Sequence, residues 1–189
     1  MMKINSSKEK RTLFIKSAVR WSLYYIVIYL CFIIMTSGTW RKPILLIPVA
    51  LCISVNSSQI PAAVTGAACG FLIDISCGKL VGYNAVILAV FCILISLLFE
   101  LYLKNRFITI MLASAASSWI IGWLDYKFYY EIWNYENADR IFYSITVPVW
   151  AYTVVSTIFI YLIIRFINFL LLPKKTLTLE EAIKAPPKN

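Results

Sequence analysis

Five stretches of this chain contain no Asp, Glu, Lys or Arg: Trp21–Trp40, Pro43–Ile73, Leu80–Phe99, Phe107–Leu124 and Ile141–Ile164. A helix needs about 20 apolar residues to cross a bilayer. Four of the stretches fit one such helix each. A soluble chain of 189 residues could not hide that much apolar surface from water. Composition agrees, with 61% apolar and only 14% charged residues, where a soluble domain carries about 25% charged. A soluble enzyme, a disordered tail and a coiled coil are excluded. What is left is an all-α, polytopic membrane protein.

The second stretch has 31 residues, too many for one span, and carries its own break. Asn56-Ser57-Ser58-Gln59 is polar, and Pro61 follows. Ser and Asn favour helix caps, and proline suits a first helical turn. The stretch therefore divides into a short helix, Pro43–Val55, and a second, Pro61–Cys77. The short one would be about 20 Å long, so it either thins the bilayer or starts below the interface.

Charge parity supports the division. Lys3, Lys8, Lys10, Arg11, Lys16 and Arg20 crowd the N-terminal end, and Lys174, Lys175, Lys184 and Lys188 the C-terminal end. Cytoplasmic flanks collect Lys and Arg, so both termini are expected in the cytoplasm, which demands an even number of spans. Six spans put thirteen Lys and Arg inside, including Lys104, Arg106 and Arg165, against five outside: Arg41, Lys42, Lys79, Lys127 and Arg140. The expected organisation is a basic N-terminal segment (1–17), a six-helix membrane domain (18–172) and a mobile cytoplasmic tail (173–189). The first helix reads as an uncleaved span, since no small-residue cleavage site follows it.

The inventory removes most chemistry. With no histidine, His triads, His-ligated haem and nearly all catalytic zinc sites are out. Cys31, Cys52, Cys69, Cys77 and Cys92 form no C-x-x-C pair and read as small buried hydrophobes. No P-loop or G-x-G-x-x-G is present. The net charge of +9 belongs to membrane flanks rather than to a nucleic-acid surface, because no basic helix or stacking platform accompanies it. Glu100 and Arg165 fall near inner span ends, where Arg165 can snorkel. Neither has a nucleophile or base beside it. No catalytic residue, metal site or cofactor is expected.

The third helix carries the most information. Ala62, Gly66, Gly70, Asp74 and Gly78 recur every fourth residue and so form one stripe on a helix. Gly66-x-x-x-Gly70 lets another backbone approach closely in lipid. The stripe packs against a neighbouring helix of the bundle, or against a second copy. Asp74 on that stripe is costly at membrane depth and by default marks function. A carboxylate near a helix C-terminus also opposes the dipole, so something must hold it. The candidates are backbone N–H groups of the turn from Gly78 to Gly82, Lys79, a proton or substrate, or a partner. Gly78 and Gly82 flank a short turn where positive φ is expected. Asn84 then reads as the N-cap of the fourth helix.

Ser114, Ser118 and Gly122 repeat the small-residue spacing in the fifth helix and predict another helix contact. The last outer loop is aromatic: Tyr126, Phe128, Tyr129, Tyr130, Trp133, Tyr135, Phe142 and Tyr143 fall within 18 residues. That density fits an interfacial aromatic belt or a docking surface for another membrane protein.

The pattern small-x-x-x-Gly70-Phe71-Leu72-x-Asp74-x-x-x-Gly78-x-x-x-Gly82-x-Asn84-Ala85 resembles the signature of the rod shape-determining MreD family. The match covers Pro61 to Leu98; elsewhere the agreement is in length and span order. The resemblance implies a multi-pass protein of the bacterial inner (cytoplasmic) membrane. Its fold would be similar to that of the substrate-binding S-components of energy-coupling-factor transporters. It also implies no enzymatic activity and association with an MreC-like protein. Through that protein it would connect to MreB, RodA and a class B penicillin-binding protein. Only Gly70, Asp74, Gly78, Gly82 and Asn84 carry over, as motif residues.

Two functional expectations follow. One is a non-catalytic scaffold of the cell-elongation (rod) complex, supporting cell shape and peptidoglycan synthesis. The other is a solute-binding, S-component-like transporter subunit, which should show polar groups converging on an outer cavity. An intramembrane enzyme ranks third, since no paired carboxylates are visible.

Overall fold

The structure is a computed structural model. It describes residues 7–37, 43–78, 80–101, 106–131, 140 and 142–171. Expectations on Lys79, Lys104, Trp133, Tyr135, the loop Arg41–Lys42 and the tail 173–189 lie outside the described residues.

The described residues are helical, with no strand among them. The helices are α1 (Ser7–Thr36), α2 (Leu46–Ser54), α3 (Gln59–Cys77), α4 (Tyr83–Leu101), α5 (Arg106–Tyr126) and α6 (Val147–Leu171). A π-helical turn, Lys127–Glu131, extends α5, and another, Phe142–Thr146, leads into α6. Pro148 stands two positions into α6 and has no N–H to give the preceding turn, where the wider π register is found. Four helical stretches are long and apolar enough to cross a membrane: Phe14–Thr36, Gln59–Cys77, Phe107–Tyr129 and Phe142–Leu171. Tyr83–Phe99 is apolar but shorter. The described residues make the chain a multi-pass membrane protein and are helical apart from short turns and links.

α1 starts fourteen residues before Trp21, where the charge-free stretch begins. Ser7–Arg20 is charged, yet Lys, Glu and Arg are good helix formers, so nothing stops the helix there. α6 likewise runs past Ile164, placing Arg165 six residues inside its end.

α2 is shorter than the stretch that encodes it. It has nine residues, about 14 Å of rise, and every one of them is buried. It packs on α1, α3, α4, α5 and α6. Pro48 falls in its first turn, where a missing N–H costs nothing. Pro43 and Ile44 are not helical, and the Ile44 N–H donates to Thr153 Oγ1 on α6 at 3.0 Å. At the other end Ser96 on α4 donates to the Ser57 carbonyl at 2.9 Å. Both ends of this segment are thus tied into the bundle. Ser58 holds the N-cap position of α3 with extended backbone, but its hydroxyl makes no capping bond.

The core is centred on α2: Leu46, Ile47, Leu51 and Ile53 are fully enclosed with Tyr24, Ile73, Leu88, Ile121 and Ile164. The surface is apolar, with Phe14, Tyr29, Phe159, Phe166 and Phe169 all exposed, as lipid-facing side chains must be. Buried hydroxyls are satisfied locally. Thr65, Ser117, Ser118 and Thr157 donate to carbonyls three or four residues back. Across α5 and α6, Ser114 and Thr157 share a bond of 2.8 Å. Gly122 lies where a Cβ would stand 3.2 Å from Thr146 Cγ2. Cys31, Cys52, Cys69 and Cys92 are buried; Cys77, the last residue of α3, is exposed, which corrects the expectation that all five are enclosed.

Candidate functional site

α3 and α4 form the tightest pairing in the bundle, an antiparallel hairpin with a short turn. At Gly66 an added Cβ would stand 2.8 Å from both Cys92 Sγ and the Leu88 carbonyl oxygen. At Gly70 it would meet the Asn84 carbonyl oxygen at 2.5 Å and the Ala85 nitrogen at 2.6 Å. Such approaches leave no room for any side chain, and at Gly70 the obstacle is backbone. The glycine face is therefore occupied within the chain.

The turn itself is built by two glycines. α3 ends at Gly78, in the left-handed region (φ 62°, ψ 32°), whose N–H reaches back to the carbonyls of Asp74 and Ile75. This is a common way for a helix to stop. Gly82 has φ 99°, a value that side-chain-bearing residues avoid.

Asp74 closes the arrangement. Its Oδ2 accepts the Gly82 N–H at 2.8 Å. Its Oδ1 accepts the Asn84 side-chain amide at 2.8 Å and the Asn84 backbone N–H at 3.3 Å. Asp74 and Asn84 are both fully buried. The first N–H groups of a helix lack intrahelical partners, and here a carboxylate from the preceding helix serves them. The dipole problem at the end of α3 is met by the positive end of α4 standing opposite. Asn84 is placed differently from the expectation. It lies inside the first turn of α4, and its amide serves Asp74 rather than capping its own helix. Asn84 Oδ1 has no hydrogen-bond partner. Of the six motif residues, Gly70, Asp74, Gly78, Gly82 and Asn84 meet in this one turn, and Gly66 lies one helical turn deeper.

The aromatic segment after α5 is fastened to the same turn. The Leu80 N–H donates to Tyr129 Oη at 2.8 Å. The Tyr83 ring stacks on Phe128 (centroids 5.3 Å apart, planes at 25°) and meets Tyr129 edge-on. A second cluster joins α5 to α6: Trp119 meets Trp150 at 5.2 Å and Phe142 at 5.9 Å, and Tyr126 meets Phe142 at 4.8 Å. Trp150 also donates its indole N–H to the Ala115 carbonyl at 3.0 Å. Part of the aromatic loop thus packs inward, with Tyr143 left exposed. The Tyr129–Leu80 and Phe128–Tyr83 contacts were not foreseeable from aromatic density alone.

Beside these rings lies a cavity of about 540 Å³. Asp125, Tyr126, Tyr129, Trp119, Ser118 and Thr153 are among the residues lining it, as is Cys77. Among the described residues no group of three His, Cys, Asp or Glu side chains is arranged to hold a metal ion.

No family model, no curated protein and no solved structure matches this chain.

Proposed function

We propose that this chain is a non-catalytic membrane scaffold of the bacterial cell-elongation complex, of the MreD type. In this reading six segments pass through the inner membrane, α2 with its extended approach being one of them, and both termini are cytoplasmic. The fold is of the S-component kind. The observation that carries the reading is the concentration of the MreD-like residues in one hairpin, with Gly70, Asp74 and Asn84 buried in it. Gly70, Asp74, Gly78, Gly82 and Asn84 build a single hairpin, so the motif has a physical reason to occur as a unit. Asp74 is then an organiser of that turn. The hairpin holds the aromatic segment in place, and exposed residues around it offer a surface to an MreC-like protein. Through that protein the chain reaches MreB, RodA and a class B penicillin-binding protein.

The direct test is affinity purification of the tagged full chain from membranes of the organism that encodes it. An MreC-like protein should be recovered in stoichiometric amount. Recovery of the chain with no such protein, under conditions that preserve other membrane complexes, rejects the reading.

A second reading, solute binding by an S-component-like subunit, is favoured by the aromatic-end cavity. Its lining joins one carboxylate, Asp125, with rings and hydroxyls, which is the kind of site a small polar ligand takes. Mass spectrometry of extracts from the purified chain decides it: a stoichiometric small molecule supports solute binding, and its absence favours the scaffold.

A further inference from the structure

We draw no further inference here: the strongest candidate, the cavity of about 550 Å³ between the end of α2, the start of α5 and the last turns of α6, offers only the exposed Arg165 beside a helix N-terminus and apolar side chains, and nothing in the structure shows what covers it.

Discussion

Asp74 at the end of one helix accepts both amide groups of Asn84 at the start of the next, the side chain at 2.8 Å and the backbone at 3.3 Å. With the Gly82 N–H on the other oxygen, three donors converge on one buried carboxylate. Asp74→Ala strands all three, each costing about 1–3 kcal/mol when buried. Asp74→Asn keeps one acceptor oxygen and replaces the other with an NH2 group that cannot accept, so it should lose less than Asp74→Ala. In detergent, thermal unfolding should rank wild type above Asp74→Asn above Asp74→Ala. Asp74→Ala and Asn84→Ala combined should cost clearly less than their sum, because they remove the same bonds. Full additivity would mean the two residues act independently.

Gly70 and Gly66 differ in how close the obstacle stands. A methyl at Gly70 meets backbone of Asn84 and Ala85 at 2.4–2.6 Å, while at Gly66 it meets the Cys92 sulfur and the Leu88 carbonyl oxygen at 2.8 Å and the Ala89 Cα at 3.0 Å. Gly70→Ala should therefore destabilise more than Gly66→Ala, by at least the 1–3 kcal/mol usual for overpacking. Gly70→Leu should prevent accumulation of the folded protein. A Gly70→Leu chain that accumulates and melts like the parent would mean that α3 and α4 are not in contact there.

The two turn glycines face open space, with no atom within 4 Å of an added Cβ. Their substitution costs are conformational only. Gly78 has helix-like left-handed angles (φ 62°, ψ 32°), which Asn tolerates, so Gly78→Asn should be nearly neutral. Gly82, at φ 99°, lies further out, and Gly82→Asn should cost about 1–3 kcal/mol. Equal melting temperatures for the two variants would contradict this difference.

Cys77 is exposed and the other four thiols are buried. A small maleimide applied to the folded chain in detergent should label one cysteine, and Cys77→Ser should abolish labelling. Labelling of two or more sites before unfolding would contradict the packing around α2.

The sequence makes some of this legible for simple reasons. Membrane helices are bounded by charge, so α4 and α5 begin and end close to the limits of their charge-free stretches, while α3 begins at the polar break before Pro61 and runs through Asp74. Glycine at four-residue spacing has few uses other than close helix contact, and Gly78 and Gly82 lie where positive φ is found. α1 extends beyond its apolar stretch because charged residues do not end a helix. α2 is short because its flanks are tied to Thr153 and Ser96, residues far away in sequence that no local pattern reveals. The same is true of the site contacts. Tyr129 reaches Leu80 across 49 positions, and Tyr24 reaches Asn168 across 144. Aromatic content says that rings will cluster; it does not say on what. Asn168 could have drawn notice as a lone amide in a run of large apolar residues, but its orphaned donor is visible only once Tyr24 is placed.

Cell shape after depletion tests the central claim most directly. Width should be measured by microscopy in the rod-shaped organism that encodes the chain, with no second copy present, as the protein is diluted out. The scaffold reading predicts rounded, progressively wider cells, because wall synthesis loses its organised placement. Rods of unchanged width after complete loss would contradict it and transfer the weight to solute binding.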